Sequence, residues 1–179
     1  MPNRPNRPLQ NPSRARTPLY TPAERARRDA SKWTLVQGIL APLQFLVFAV
    51  SVALVLRFLS TGEGFFAATA SVVLKTCVLY LIMVTGAIWE HDVFGRYLFA
   101  PAFYWEDVVS VAVLALHTAY LFALLTGALD PRQQMLLALA AYATYLANSA
   151  QFLLKLRAAR LDVAPLRPEP LTGSVKYAK

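Results

Sequence analysis

Apolar residues in this chain gather into four long stretches separated by short polar breaks. The stretches cover residues 33–59, 65–89, 108–127 and 135–156 approximately. Each approaches or exceeds the roughly 20 residues that an α-helix needs to cross a bilayer. None shows the two-residue alternation that is typical of strands in a membrane barrel. The pattern therefore predicts an all-α integral membrane protein folded as a four-helix bundle.

The two ends of the chain lie outside this apolar pattern. Residues 1–20 are rich in Pro, Arg and Asn and predict a disordered basic tail, and residues 161–179 predict a flexible C-terminal tail. Residues 21–160 between them form the predicted membrane domain. Thr21-Pro22-Ala23-Glu24 has the capping-box pattern, so a short amphipathic helix is expected to lead into the first span. Because no apolar h-region precedes that span, we expect it to be retained as a signal-anchor.

Positive charge is concentrated at the two ends of the chain. The sequence has 18 Lys and Arg against 10 Asp and Glu, a formal net charge of +8. Eight of the basic residues precede Trp33, and six follow the core of the fourth span. By the positive-inside rule, this distribution predicts that both termini are cytoplasmic. The basic excess then faces a lipid membrane, and nucleic acid is not an expected partner. The single cysteine, Cys77, excludes an internal disulfide and a cysteine-rich metal site.

Carboxylates crowd the ends of two neighbouring spans. Glu90-His91-Asp92 closes the second apolar stretch and Glu106-Asp107 opens the third, so these side chains are expected at one membrane surface. Glu106 and Asp107 either stabilise the N-terminus of their helix or take part in proton transfer. Glu90 fits the first role poorly, because it ends a helix. Beside the apolar Trp89, the pKa of Glu90 is expected to be raised.

The segment between these carboxylates is rich in aromatic residues. One interpretation is a segment that lies in the lipid headgroup layer. A second interpretation, compatible with the first, is the wall of a flat pocket for a planar ligand, with Arg96 binding an anionic group. The aromatic residues proposed for that wall are Tyr97, Phe103, Tyr104 and Trp105.

Polar residues also recur inside the spans. We expect Lys75 to find a partner, to be neutral or to reach a polar cavity, since an unpaired charge at this depth costs at least about 2.5 kcal/mol. His117 is either a residue that forms hydrogen bonds between helices or an axial ligand to a metal in a macrocycle. The positions expected near mid-membrane and pointing inward are Gln44, Lys75, His117, Tyr145 and Asn148.

Three stretches carry a family resemblance. They are WTLVQGILAPLQFLVF (33–48), VTGAIWEHDVFGRYLFAPAFYWED (84–107) and QMLLALAAYATYLANSAQFLLKLRAAR (134–160). These stretches resemble the 3-vinyl bacteriochlorophyllide hydratase (chlorophyllide a 3-vinyl hydratase) family of phototrophic bacteria, and the likeness runs from about Asp29 to Arg160. Residues 1–20 are not part of it. The dipeptide His91-Asp92 stands where the family is expected to vary, so neither residue is assigned to catalysis.

The resemblance implies addition of water to the 3-vinyl group of chlorophyllide a or a related bacteriochlorophyllide in the bacterial inner membrane. The product is the 3-(1-hydroxyethyl) compound of bacteriochlorophyll biosynthesis. Because the resemblance supplies no catalytic residues, their assignment comes from side-chain chemistry. We expect Glu90 to protonate the terminal vinyl carbon, and Asp107 or Glu106 to hold the water and accept its proton.

The substrate brings its own magnesium, so no cofactor is expected. His117 or His91 is the candidate ligand of that magnesium. However, His117 lies 11 residues from Glu106, about 16 Å along a helix, which is too far for one ring to reach both easily. Neighbouring pigment-biosynthesis enzymes are further candidate partners. The rival interpretations are a pigment-binding or scaffold subunit without catalysis, and a small transporter or quinone-binding protein.

Overall fold

The computed structural model describes residues 19–161, which form five α-helices. These are α1 (Pro22–Ala30), α2 (Lys32–Thr61), α3 (Phe65–Phe94), α4 (Tyr104–Thr126) and α5 (Pro131–Leu161). No strand occurs in this part of the chain, which confirms the all-α class. The tails predicted at residues 1–18 and beyond Leu161 lie outside the described residues.

The predicted helix start at Thr21 is confirmed. The Thr21 hydroxyl accepts a hydrogen bond from the Glu24 N–H, and the Glu24 carboxylate accepts one from the Thr21 N–H at 2.7 Å. Tyr20 departs from the prediction of a disordered tail through residue 20, because its side chain is buried. Its ring stacks on that of Phe94 with 5.8 Å between centroids. Aromatic burial therefore fixes the chain immediately before α1.

Three helices, α2, α3 and α4, are long and apolar enough to cross a membrane. The helix α5 has 31 residues but a less apolar composition, and it is not among the three. The helices extend beyond the predicted stretches, and α3 continues five residues past Trp89. A 30-residue helix is about 45 Å long, whereas the hydrocarbon core is about 30 Å thick. Glu90, near the end of α3, and Asp107, in the first turn of α4, lie just outside the apolar stretches 65–89 and 108–127.

The four long helices pack mainly as two pairs of chain neighbours. The most extensive contacts join α2 to α3 and α4 to α5, and α2 also contacts α5. Gly62 and Gly64 have φ values of +76° and +83°, a left-handed conformation that lets α2 turn into α3 within a few residues. Buried apolar side chains of all four long helices fill the end remote from the carboxylates, including Val55, Val72, Tyr120 and Met135. The carboxylates lie at the opposite end, beside Val93 and Phe103.

Candidate active site

The α3–α4 connection shapes the candidate site. It begins at Gly95, which ends α3 in a left-handed conformation, and it reaches α4 at Phe103. The Phe103 N–H donates to the Ala100 carbonyl at 2.8 Å, which closes a tight turn. Residues 90–94, which follow the predicted apolar stretch 65–89, are still part of α3. The connection is therefore short, and its backbone folds back over the ends of both helices.

Two consecutive backbone amides of this connection hold two carboxylates. The Phe99 N–H donates to Asp107 Oδ2 at 2.8 Å, and the Ala100 N–H donates to Glu90 Oε1 at 2.5 Å. Glu90 and Asp107 are 4% and 7% exposed, and their carboxyl groups lie within hydrogen-bonding reach of each other. Two carboxylates this close cannot both ionise easily, so the pair favours a state that shares one proton. We call Glu90 and Asp107 the carboxylate pair.

Phe99 adopts a backbone conformation that non-glycine residues rarely take. Its φ is +60°, the only positive value for a non-glycine residue in the described range 19–161. Such a conformation costs about 1–3 kcal/mol and persists only where the surroundings enforce it. Here it accompanies the two amides that bind the carboxylate pair. Sequence reasoning missed these donors, because a phenylalanine gives no signal for a left-handed turn.

The environment of the pair raises its proton affinity. Burial, with a smaller contribution from the charge of Asp107, raises the pKa of Glu90 to about 7, and the bond from the Ala100 N–H opposes this rise. Burial also raises the pKa of Asp107 against the opposing bond from the Phe99 N–H. The rise predicted for Glu90 from its apolar neighbourhood is thus found. The pair can hold a transferable proton near neutral pH.

Glu106 has a different partner. Its carboxylate accepts a hydrogen bond from Lys155 Nζ of α5 at 2.6 Å, and the two side chains are 10% and 26% exposed. The ammonium of Lys155 also lies 5.1 Å from the centre of the Phe103 ring. Phe103 is the N-cap residue of α4 and gives no side-chain cap. Glu106 and Asp107 do not replace it, because their hydrogen bonds go to Lys155 and to the Phe99 N–H instead. These carboxylates therefore serve contacts between elements.

The aromatic residues around the pair divide into exposed and buried groups. Tyr104 and Trp105 are 47% and 70% exposed and pack edge to face, and Phe99 contacts Tyr104 at 5.8 Å between ring centroids. We call these three residues the aromatic platform. Phe103 is 3% exposed and stacks on Phe152, so it belongs to the protein interior. Of the predicted pocket wall, the structure exposes Tyr97, Tyr104 and Trp105 but buries Phe103.

The other polar residues near the end of α3 have partners outside the carboxylate pair or are exposed. The His91 ring stacks on Tyr97 at 4.3 Å between centroids, and Asp92 accepts a hydrogen bond from the Ser31 hydroxyl at 2.9 Å. The Arg27 guanidinium donates to the Val93 carbonyl at 2.7 Å. These contacts agree with leaving His91 and Asp92 out of catalysis. Arg96 is exposed and forms no ion pair with the residues described in the structure.

His117 and Lys75 lie in the interior, as predicted, and both are fully buried. The imidazole Nδ1 of His117 bonds to the Val113 carbonyl at 2.8 Å, one turn earlier in α4. Lys75 Nζ lies 3.8 Å from the centre of the Tyr145 ring. The structure thus does not bring His117 to the carboxylate pair. Among residues 19–161, no group of three or more His, Cys, Asp or Glu side chains is arranged to hold a metal ion.

Comparisons with known proteins identify the family of this chain. The family model described as 2-vinyl bacteriochlorophyllide hydratase (BCHF) matches residues 20–158. A protein named 2-vinyl bacteriochlorophyllide hydratase from Rhodobacter capsulatus is 67% identical over 164 residues, which cover 92% of each chain. One of the same name from Cereibacter sphaeroides is 70% identical over 146 residues, covering 81% of this chain and 90% of that protein.

No solved structure is significantly similar to this chain. The names of these two relatives number the vinyl group 2, whereas the resemblance described above numbers it 3. Both describe hydration of a vinyl group on a bacteriochlorophyllide ring. The family match spans the described helices from Tyr20 to beyond the Glu106–Lys155 contact. The chain belongs to the 2-vinyl bacteriochlorophyllide hydratase family.

Proposed function

We propose that the chain adds water to the vinyl group of a bacteriochlorophyllide at the carboxylate pair. Membership of the hydratase family supports the reaction, a carbon–oxygen lyase activity in bacteriochlorophyll biosynthesis. The observation that carries the site is the buried Glu90–Asp107 pair held by two consecutive amides. Addition at the 3-vinyl group of chlorophyllide a, giving the 3-(1-hydroxyethyl) product, is the specific reaction we propose.

The pair supplies both proton transfers of a hydration. Glu90 donates the shared proton to the terminal vinyl carbon, and the π electrons form the new C–H bond. The inner vinyl carbon becomes a cation stabilised by the conjugated ring. The oxygen of water bonds to this carbon, and Asp107 accepts the proton that the water loses. One proton leaves the pair and one returns, so each turnover restores the starting state without an external proton source or an oxidant.

Asp107, rather than Glu106, is the base in this proposal. The carboxylate of Glu106 is bonded to Lys155 Nζ at 2.6 Å, which commits that group to a contact with α5. Asp107 faces Glu90 directly and lacks such a cation at hydrogen-bonding distance. We therefore propose that Glu106 and Lys155 hold α4 and α5 together beside the pair. Their role is to position it.

The aromatic platform is the proposed surface for the macrocycle. A flat conjugated ring gains from stacking on exposed aromatic side chains, and Phe99 joins the platform directly to an amide that binds the pair. The exposed Arg96 is placed to bind a propionate of the substrate. His117 is enclosed on all sides, so we do not propose it as a ligand of the substrate's magnesium. No cofactor beyond the substrate is required by these steps.

The membrane arrangement we propose has four transmembrane helices, with α5 as the fourth. The support is its length and its packing against α4 and α2. Basic residues of α1 and of the end of α5 lie at the carboxylate end, as Arg27–Val93 and Lys155–Glu106 contacts demonstrate. By the positive-inside rule that end faces the cytoplasm, with α1 an amphipathic helix at the surface of the inner membrane. Reporter fusions at either terminus test this orientation.

The experiment incubates chlorophyllide a with membranes that contain the protein and analyses the pigments by mass spectrometry. A product heavier by one water, absent from control membranes, is expected. Glu90→Gln should abolish it, while Asp92→Asn, the same change two residues later outside the pair, should not. Pigment that binds but remains unchanged would contradict the hydratase and favour a pigment-carrying subunit. Full activity in Glu90→Gln membranes would remove the proposed acid but leave the reaction standing.

A further inference from the structure

Lys75 is a basic residue in the interior that has no acceptor among its described neighbours. Its side chain is fully buried, and its Nζ has no hydrogen-bond partner within residues 19–161. None of the ion pairs formed by those residues includes it. Its one close polar interaction is with the face of the Tyr145 ring, 3.8 Å from the centroid. A ring face does not replace the three hydrogen bonds that an ammonium group donates.

Acceptors without described partners lie on the three long helices other than that of Lys75. Besides the hydroxyl groups of Thr69 and Tyr120, the buried acceptor atoms without a hydrogen bond from a described residue are Gln44 Oε1, His117 Nε2 and Asn148 Oδ1. His117 Nδ1 bonds to the Val113 carbonyl, which assigns the ring hydrogen to Nδ1 and leaves a lone pair on Nε2. Asn148 Nδ2 donates to Ser110 Oγ at 2.8 Å, which assigns the other amide atom as the free oxygen.

Ring contacts place these groups close together. The Tyr145 ring beneath Lys75 is 5.0 Å from that of Phe48, one helical turn beyond Gln44. Asn148 follows Tyr145 by one turn of α5. The His117 ring of α4 lies 5.8 Å from the ring of Tyr142, which precedes Tyr145 by three residues on α5. One donor and three acceptors from four helices therefore surround a common region.

The chemistry of this region selects its ligand. Three free acceptors would repel an anion, and an ammonium group would repel a metal cation. A water molecule can accept from Lys75 and donate to two acceptors, so a cluster of two or more waters can satisfy all four groups, and internal waters typically make about three such bonds. Buried polar groups in native proteins are nearly always satisfied by protein or by ordered water. We infer that Gln44, Lys75, His117 and Asn148 bind a cluster of internal water molecules between α2, α3, α4 and α5.

The proposed water site is distinct from the carboxylate pair. Ser110, the partner of Asn148, separates the two along α4, since it follows Asp107 by three residues. The inference does not depend on the hydratase chemistry. It follows from unpartnered atoms on four helices, and its test therefore needs no substrate.

Infrared spectroscopy of the purified protein tests the site directly. Internal waters give narrow O–H stretching bands that shift in oxygen-isotope-labelled water, unlike the broad band of bulk water. We expect such bands in the wild type and their loss or shift in Lys75→Met and in the milder Asn148→Leu. Thr118→Val is the matched control, because Thr118 bonds to Tyr80 on an exposed face of the spans. Isotope-sensitive bands that are absent, or unchanged in both interior variants, would overturn the inference.

Thermal unfolding in detergent gives a second, independent measurement. If Lys75 were buried without water, its replacement by methionine would remove an uncompensated polar group, and the Tm would rise by several degrees. With bound water, the same change leaves the water and its other partners short of a donor. We then expect the Tm of Lys75→Met to be unchanged or lower. A clearly higher Tm would contradict the water site, and Asn148→Leu provides the same comparison if Lys75→Met does not fold.

Discussion

The carboxylate site and the interior region around Lys75 differ in whether their buried polar groups have hydrogen-bond partners within the described part of the protein. At the carboxylate site, Glu90, Asp107 and Glu106 each receive a hydrogen bond from a backbone N–H or from Lys155. In the interior region, Lys75 and the free Nε2 of His117 have no described protein partner. The first region holds charge by preformed bonds, which suits a reaction that needs fixed proton positions. The second must obtain its partners from solvent.

The largest expected effect comes from removing the transferable proton of the pair. Glu90→Gln keeps the acceptor for the Ala100 N–H, so the fold should persist, but an amide cannot protonate a vinyl carbon. We expect the hydration rate to fall by about 10²–10⁴-fold, the usual contribution of a general acid or base. The measurement is product formation in membranes with equal protein content. A loss shared equally by Asp92→Asn would show a structural effect instead.

The pH dependence is the next expected effect. Because the pKa of Glu90 is raised to about 7, the pair keeps its proton up to neutral pH and loses it as the pH rises further. Activity should therefore fall above about pH 7. In Asp107→Asn the neighbouring charge is gone, so the pKa of Glu90 should decrease and the alkaline limb of any residual activity should move to lower pH. If the alkaline limb of the pH profile does not move in this variant, loss of the proton of Glu90 is not its cause.

Loss of the Lys155–Glu106 contact should lower the free energy of unfolding more than it affects the catalytic step. Lys155→Met leaves the buried carboxylate of Glu106 without its cation, which we expect to cost about 1.5–3 kcal/mol of unfolding free energy. Thermal unfolding in detergent measures the change. The double variant with Glu106→Gln should recover part of the loss, because no buried charge remains unpaired. A double variant less stable than Lys155→Met would contradict this account.

The strained backbone at Phe99 predicts a smaller difference. Phe99→Ala removes the ring but keeps a side chain at φ +60°, while Phe99→Gly removes the ring and relieves the strain. We expect the glycine variant to be more stable than the alanine variant by about 1 kcal/mol. Chemical denaturation of the two variants gives this difference. Equal stabilities would show that the left-handed turn carries no cost here.

Replacing His117 should have the smallest effect of these changes, because it lies in the interior region and not at the proposed pigment surface. His117→Gln changes an enclosed interior residue that is remote from the aromatic platform. We expect pigment affinity, measured by absorbance titration, to stay within about two-fold of the wild type, since a change below about 0.4 kcal/mol is the scale of non-contacting positions. Trp105→Ala, on the platform, is the matched comparison and should weaken binding clearly. A clear loss of pigment affinity in His117→Gln would indicate that His117 contributes to substrate binding after all.

Much of the site was predictable because its residues carry unusual chemistry for their surroundings. Carboxylates beside apolar spans, and a lysine and a histidine within them, are conspicuous in sequence because burying them is costly. Their burial is found in the structure. The amides of Phe99 and Ala100 were not predictable, because every residue has an amide and only the turn directs these two. The roles of Phe103 and Tyr20 were misjudged because an aromatic side chain suits an interior and a surface equally well.

Resemblance was enough to predict the family, and residue composition and spacing were enough to predict the all-α class, the helix start at Thr21 and the grouping of carboxylates at one end. These properties depend on local composition and spacing, which need no knowledge of distant contacts. The partners of the two adjacent carboxylates, Glu90 for Asp107 and Lys155 for Glu106, became known only from the packing of the helices. Adjacent residues of a helix point in directions about 100° apart, so the packing of three elements selects the partner of each. That selection separates the proposed catalytic pair from a structural ion pair.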